Sequence, residues 1–323
     1  MVGKQTQQMK KGQQAAGTTF GSKRIGVESK ESVVTPPSTS AETQLNRRPV
    51  GATPRRRAIP EGLWTKCRRC GELIVDKDLT VNLKVCPQCS YHFPMGARDR
   101  VASMVAIDSF EEMDAGMSSV DVLEFPDYPE KLTANQKKTG LRDAVITGIG
   151  HLRDHRIALG VMDFSFNGGS MGSVVGEKLT RLIERGTRER LPVVIFSSSG
   201  GARMYEGMFS LMQMAKTCGA LAYHAKERLS FISVLTDPTM AGVMASFASV
   251  GDLIIAEPSA RIGFAGPRVI RDTTQSDLPK GFQTAEFLKE RGLIDAIVSR
   301  HEMKDRMAYY LDFIGSRAEG PRT

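Results

Sequence analysis

Leu191 to Cys218 reads LPVVIFSSSGGARMYEGMFSLMQMAKTC. Leu191–Ser197 is a short apolar, β-branched run opened by a proline, which predicts a buried strand. Ser198–Gly201 is a tight turn of small residues. From Ala202 onward the apolar residues Met204, Met208, Leu211, Met212 and Ala215 recur at the spacing of one helix face. The stretch therefore predicts a strand feeding a glycine turn that feeds a helix. The first amides of such a helix lack intrahelical partners. With the helix dipole behind them they suit developing negative charge. The paired glycines let a bound group approach the backbone.

Two other readings stand beside this one. Glycine turns between strand and helix also occur with no chemistry attached. Ser197–Gly201 also has the outline of a loosened nucleophile elbow with Ser199 in the serine position. Its triad would draw on Asp237 or Asp252 with His301, none of which lies in a supporting motif, and the elbow's first position is Ser rather than Gly.

Working outward, the same pattern precedes the stretch. Ala144–Ile149 and Ile157–Phe166 read as strands, Asn167–Ser173 as a glycine turn, and Val175, Leu179, Leu182 and Ile183 as one helix face. A third cycle follows it: strand Phe231–Leu235, turn Thr236–Pro238, and a small-residue helix over Met240–Val250. Leu253–Ala256 and Arg261–Phe264 are further strands, and Phe282–Arg291 and Glu302–Ile314 amphipathic helices. Cys218 reads as core. Repeated short strands and helices over 141–323 predict a stacked α/β spiral better than one open Rossmann sheet. No GxGxxG and no GxxxxGK[ST] occurs, so neither a dinucleotide fingerprint nor a P-loop is present.

Residues 96–140 read as a linking region without chemistry, with short helices at Arg98–Val105 and Phe110–Met113, breaks at Pro126 and Pro129, and a polar Lys131–Lys138. Residues 59–95 form a small module. Cys67 and Cys70 make one CxxC pair and Cys86 and Cys89 another, which matches a four-cysteine zinc ribbon. Four thiolates imply a closed structural site. Thioredoxin-like redox use needs one CxxC in a βαβ unit, not two facing pairs. Gly71 sits where a turn after the first pair needs positive φ, Pro87 stiffens the second, and Glu72–Val85 suits an antiparallel hairpin. His92 is either a competing ligand or an ordinary packed side chain. Lys66, Arg68, Arg69, Lys77 and Lys84 make the ribbon basic, a solvated face or a contact for RNA or DNA.

The chain has 323 residues and a net charge of +8, and residues 1–58 carry that whole excess with eleven Lys/Arg against Glu28, Glu31 and Glu42. The rest is balanced, so the basic pI describes a tail rather than a nucleic-acid-binding body. This tail is poor in large apolar residues and is expected to be disordered. It is basic and hydroxyl-rich like a transit peptide, although its glutamates count against that role. No apolar run is long enough to span a membrane, and the start lacks a signal-peptide segment. Five cysteines, four in CxxC pairs, suit a reducing compartment.

The segments GGSMGSVVG (168–176), SSSGGARM (197–204), SLMQMAK (210–216), SVLTDPTMAGVMASFA (233–248) and IGFAGPRVI (262–270), behind a four-cysteine ribbon, carry a family likeness. They resemble the beta-subunit family of bacterial and plastid acetyl-CoA carboxylase carboxyltransferases, from about Ile59 to Ile314. The resemblance implies a crotonase-like ββα spiral. It implies carboxyl transfer from carboxybiotin, borne on a biotin carboxyl carrier protein, to acetyl-CoA, giving malonyl-CoA for fatty acid synthesis. It further implies a homologous alpha subunit, two of each chain with the active site between them, and a separate biotin carboxylase that uses the ATP.

By the same resemblance Gly200 and Gly201 carry one oxyanion hole and the partner supplies the other. Gly168, Gly169 and Gly172 shape the CoA or biotin site. Arg203 meets a phosphate or bridges an acid within the protein, and Arg268 has no assigned role. Enolate and ureido oxyanions need backbone donors and orientation more than a dedicated base. Other acyl-CoA carboxyltransferases share this logic but usually lack the ribbon. A crotonase-type hydratase would need two carboxylates, for which Glu177 and Glu206 are nearest, though each reads as a surface charge. The compartment expected is the bacterial cytoplasm, with the plastid stroma as the alternative.

Overall fold

The computed structural model describes residues 63–314; the basic tail expected over 1–58 lies outside them. The ribbon opens with β1 (Trp64–Lys66), β2 (Leu73–Val75) and α1 (Asp76–Val81). The hairpin expected over Glu72–Val85 is replaced: β2 pairs backwards with β1, Trp64 opposite Val75, and α1 fills the interval. This closes the strands around the first cysteine pair and buries Leu79 against Cys67, Ile74, Cys86 and Phe93. The two knuckles repeat one hydrogen-bond pattern. Gly71 N donates to Cys67 O and Ser90 N to Cys86 O, both at 2.9 Å, while Cys67 N reaches Glu72 O and Cys86 N reaches Tyr91 O. The residue closing each knuckle has positive φ, +80° at Gly71 and +57° at Ser90.

The body follows with α2 (Ala97–Met104), β3 (Glu111–Met113), α3 (Tyr128–Thr139), β4 (Val145–Leu152), β5 (His155–Met162), α4 (Ser173–Arg188), β6 (Val193–Ser199), α5 (Met208–Lys226), β7 (Phe231–Met240) and α6 (Ala241–Met244). It closes with β8 (Leu253–Ala256), β9 (Ile262–Gly263), α7 (Pro267–Thr274), α8 (Ala285–Glu290), β10 (Ala296–Ile297) and α9 (Met303–Ile314). One sheet runs in the order β10-β8-β7-β6-β5-β4-β3, with β9 paired to β7. β5, β6, β7, β8 and β10 are parallel neighbours, while β3, β4 and β5 are antiparallel. Strands buried on both faces explain the near-continuous apolar runs of β5 to β7. α4 lays Val175, Leu179, Leu182 and Ile183 onto this sheet, all of them fully buried.

Three segments differ from the sequence reading. Phe110–Met113 is not a helix; Glu111–Met113 pairs with β4 and covers an edge that would otherwise present unpaired backbone groups. The turn expected at Thr236–Pro238 is a continuation of β7, held because Thr236 and Thr239 hydroxyls both donate to Ser197 O. The helix over Met240–Val250 shrinks to α6 and a 3-10 turn at Phe247–Ser249.

Candidate active site and zinc centre

The four cysteines converge. The sulfurs of Cys67 and Cys89 lie 3.6 Å apart and those of Cys70 and Cys86 3.7 Å, and all four fall within 4.8 Å of one another. A tetrahedron with zinc–sulfur arms of about 2.3 Å has edges of about 3.8 Å, so the set fits one ion with no open position. His92 is not part of it. Its Nδ1–H donates to Ser90 O and its Nε2 accepts the Arg300 amide, the pattern of a neutral imidazole, which burial also favours by lowering its pKa.

Arg300 fastens ribbon to body. Its Nη1 donates to Leu83 O and Phe93 O, and its Nε and Nη2 grip Glu257. Burial alone would raise the Glu257 pKa, but Arg100 and Arg300 outweigh it and hold the carboxyl at about 2. Stripping zinc with a chelator should therefore loosen this latch and lower carboxyl transfer about a hundredfold by misplacing the turns beneath it. The far-UV spectrum should stay largely intact, because the main core shares no residue with the ribbon cluster. Full turnover in protein shown by elemental analysis to be zinc-free would refute the coupling.

The glycine turn sits at the C-terminal end of β6, against the turn that follows β5. Gly200 N donates to Gly168 O at 2.8 Å, Gly201 N to Ser199 Oγ at 2.9 Å, and Met171 N to Gly201 O at 2.8 Å. Both amides expected to face an oxyanion thus have acceptors within the chain. The helix expected from Ala202 starts later. Met204–Glu206 is a 3-10 turn, Gly207 breaks the chain, and α5 begins at Met208. The dipole of α5 is therefore not behind the turn. Gly201 instead packs against the start of α6, where an added Cβ would lie 2.6 Å from the Ala241 Cβ.

Arg203, expected among cofactor contacts, is buried inside the protein. Nη2 pairs with Asp143 at 2.6 Å, Nη1 meets Glu206 at 3.1 Å and Ser119 at 3.0 Å, and Nε donates to Ser170 Oγ. No side-chain surface remains for a phosphate. Of the two readings of this residue, the bridge to acids is the one present. Glu206, read as a surface charge, is buried, takes the Tyr128 hydroxyl at 2.5 Å and caps α4 through Ser173 N at 2.6 Å. Gly172 is correspondingly accounted for within the chain, since a Cβ there would run into the Glu206 carboxylate. Glu177 does lie on the surface, paired with Arg181 and Lys216.

The remaining candidates separate. Asp237 pairs with Arg261, Asp252 accepts the Phe231 amide, and His301 contacts Asn82, so no triad forms around Ser199. Cys218 is half-buried rather than core, and Arg268 is exposed beside Asp272. Lys66, Arg68, Arg69 and Lys77 are exposed, but so are the acidic Glu72 and Asp78 among them. Sequence reading missed Tyr128, Asp143, Arg100 and Glu257. Their only signal was charge or hydroxyl beside apolar runs, and each finds its partner far along the chain.

A ββα-type sheet with glycine turns at its strand ends and a closed four-cysteine centre ahead of it defines a carboxyltransferase of the crotonase-like class. The carboxyl transferase domain family matches residues 96–286, and the acetyl-CoA carboxylase zinc finger family residues 64–89. The acetyl-coenzyme A carboxylase carboxyl transferase subunit beta of Desulforudis audaxviator is 55% identical over 252 residues, 78% of this chain and 91% of that one. The chloroplastic counterpart from Pyropia yezoensis is 54% identical over 256 residues, 78% and 89% respectively. Among solved structures, the transcarboxylase 12S core superposes with a TM-score of 0.58 at 25% identity over 68% of this chain and 41% of that one. A Pseudomonas malonate decarboxylase hetero-tetramer shares the fold, with a TM-score of 0.57 at 22% identity over 68% and 82%.

The chain belongs to the acetyl-CoA carboxylase carboxyltransferase beta-subunit family. It transfers the carboxyl group of carboxybiotin to acetyl-CoA, forming malonyl-CoA for fatty acid biosynthesis, and carries a zinc ion on its four cysteines. Among the described residues no helix is long and apolar enough to cross a membrane.

Proposed function

We propose that the Gly200–Gly201 turn stabilises one oxyanion of the transfer and that a homologous alpha subunit completes the site. In the reaction the N–CO2 bond of carboxybiotin breaks, releasing CO2 and leaving the ureido group anionic. Its nitrogen takes a methyl proton from acetyl-CoA, and the resulting enolate carbon bonds to CO2. Both carbonyl oxygens carry charge on the way, so backbone donors do most of the work. An oxyanion accepts an amide hydrogen bond about twice as strong as a neutral carbonyl does. It would therefore displace Gly168 O and Ser199 Oγ from the amides they now occupy. Gly168 and Gly169, across the turn, shape the same site.

The observation that carries the two-chain reading is the exposed face directly after the turn. Met204 is 82% exposed, Met208 66% and Met212 58%, with Phe209 and Leu211 beside them. A contiguous apolar patch of this kind marks an interaction surface, and methionines adapt to a partner. The alpha subunit is its occupant, in a complex of two chains of each kind. The biotin carboxyl carrier protein delivers the substrate that biotin carboxylase and ATP have charged. The reducing compartment is the bacterial cytoplasm, or the plastid stroma in a plastid-bearing host.

Malonyl-CoA formation should appear only when this chain and an alpha subunit are mixed. Replacing Met208 and Met212 together by Glu should weaken association at least about tenfold, as loss of central apolar anchors does, without releasing zinc. Sedimentation of the mixture reads this directly. An unchanged complex would move the interface elsewhere, and activity of this chain alone would end the shared-site reading.

A further inference from the structure

Asn167, Gly168 and Gly169, in the glycine turn after β5, all have left-handed backbone, with φ of +47°, +67° and +62°. L-residues visit that region singly. A run of three opened by a non-glycine persists only where its surroundings hold it. Two of the turn's bonds, Gly169 N to Phe166 O and Ser170 N to Asn167 O, are internal to it. Its far end is fastened by Arg203, which donates to Ser170 Oγ and Ser170 O. Its near end is fastened from 32 positions earlier in the chain: Asn167 N donates to Asn135 Oδ1 at 2.9 Å.

Asn135 stands on α3, within the stretch whose sequence reads as a link without chemistry. Tyr128 and Leu132 are the buried residues of that helix, and Asn135 follows them on the same stripe at the i, i+4, i+7 spacing. Where a third apolar residue would continue the stripe, the chain has a half-buried amide. Its orientation is set from the other side, since Asn135 Nδ2 donates to Lys131 O at 2.7 Å and leaves Oδ1 to face Asn167. The Asn167 side chain carries the linkage onward. Its Nδ2 donates to Ser170 Oγ at 3.2 Å, the same oxygen that takes Arg203 Nε.

We infer that Asn135 is a positioning residue for carboxyl transfer, holding the left-handed turn, and Gly168 O with it, against the end of β6. The inference rests on the reading that the two glycine turns form the reacting site. In the free chain Gly200 N is a second tie on Gly168 O. An oxyanion that takes the Gly200 amide removes that tie, so the hold of Asn135 matters most while charge develops. Its loss should therefore appear in kcat and not in the KM for acetyl-CoA, the mark of an interaction realised in the transition state.

The test uses the full zinc-loaded chain with its alpha subunit. Asn135→Leu removes the acceptor and fills the space a water would need. It should lower kcat about tenfold, the upper end of what one hydrogen bond is worth, with the KM for acetyl-CoA within about twofold of wild type. Asn135→Asp keeps an oxygen acceptor for the Asn167 amide and should recover kcat to within about threefold. If Asn135→Leu does not fold, Asn135→Ala removes the acceptor without added bulk and should shift kcat in the same direction. Asn135→Leu and Gly169→Ala act on one turn, so combined they should cost less than the product of their separate losses.

Wild-type kcat in the folded variants that lack the acceptor overturns the inference. So does a loss confined to KM, an Asp variant no faster than the Leu one, or fully multiplicative losses in the double variant. Gly169→Ala alone tests the underlying reading. A slow Gly169→Ala beside an unimpaired Asn135→Leu removes Asn135 and leaves the turn in its role, whereas a Gly169→Ala near the wild-type rate removes the reading on which the inference rests.

Discussion

Gly169→Ala should lower malonyl-CoA formation about a hundredfold, while Gly168→Ala, one residue earlier, should leave most of it. Both glycines have left-handed φ, +67° at 168 and +62° at 169, so alanine costs each about 1–2 kcal/mol of backbone strain. Their surroundings differ. A Cβ at 168 meets nothing within 4 Å, whereas one at 169 would collide with the Ser198 carbonyl oxygen and stand 3.1 Å from Ser199 Cα. Those atoms lie at the end of β6, held by the pairing of Ser199 with Thr239 of β7 and by the Thr236 and Thr239 hydroxyls on Ser197 O. The 167–169 turn must move instead, and the Gly168 O to Gly200 N contact moves with it. A displacement of about 1 Å at a reacting centre costs on the order of a hundredfold in rate. Turnover with the alpha subunit, zinc content and a thermal melt on both variants decide the matter. Gly169→Ala working within about threefold of wild type would show that this turn does not position the chemistry.

How much of this was written in the sequence depends on how local each signal was. The zinc centre needs two knuckles whose geometry is set within five residues each, so the cysteine spacing sufficed. The apolar face of α4 was legible because it packs onto a sheet inside its own chain. The face read on α5 had the same periodicity and the opposite fate. Met208, Leu211 and Met212 face outward, and the buried side carries Ser210, Gln213, Thr217 and His224. Apolar spacing marks a face of a helix, not whether this chain covers it. Phe110–Met113 was misread because its strand exists only through pairing with β4. The Arg203 hub was invisible for a related reason: Asp143 is 60 residues away and Tyr128 75.

That hub makes the largest stability prediction. Arg203→Met should destabilise the folded chain by about 3–5 kcal/mol, the cost of breaking a buried ion pair by removing one partner. Asp143 and Arg203 have no exposed side-chain surface and Glu206 almost none, so the variant leaves two carboxylates buried without a counter-charge. Against a total of about 5–15 kcal/mol, denaturant midpoints should fall sharply. Activity should fall too, because the Arg203 side chain donates to Ser170 Oγ and Ser170 O and so holds the glycine turn that follows β5, which these bonds no longer fix in the variant.

The loss should also depend on pH. Burial raises the Glu206 pKa, but the Tyr128 hydroxyl, the Ser173 amide and Arg203 together bring it below the ordinary value. A carboxyl depressed by folding stabilises fully above its unfolded pKa of about 4.3, and that stability is lost as pH falls through the folded value. Removing Arg203 deletes one of those pulls, so the Glu206 pKa rises and the variant has less of this stability to lose in acid. The gap between wild type and Arg203→Met should therefore narrow from pH 7 to pH 4. A gap that stays constant would mean the cost is lost packing around the hub rather than uncompensated charge.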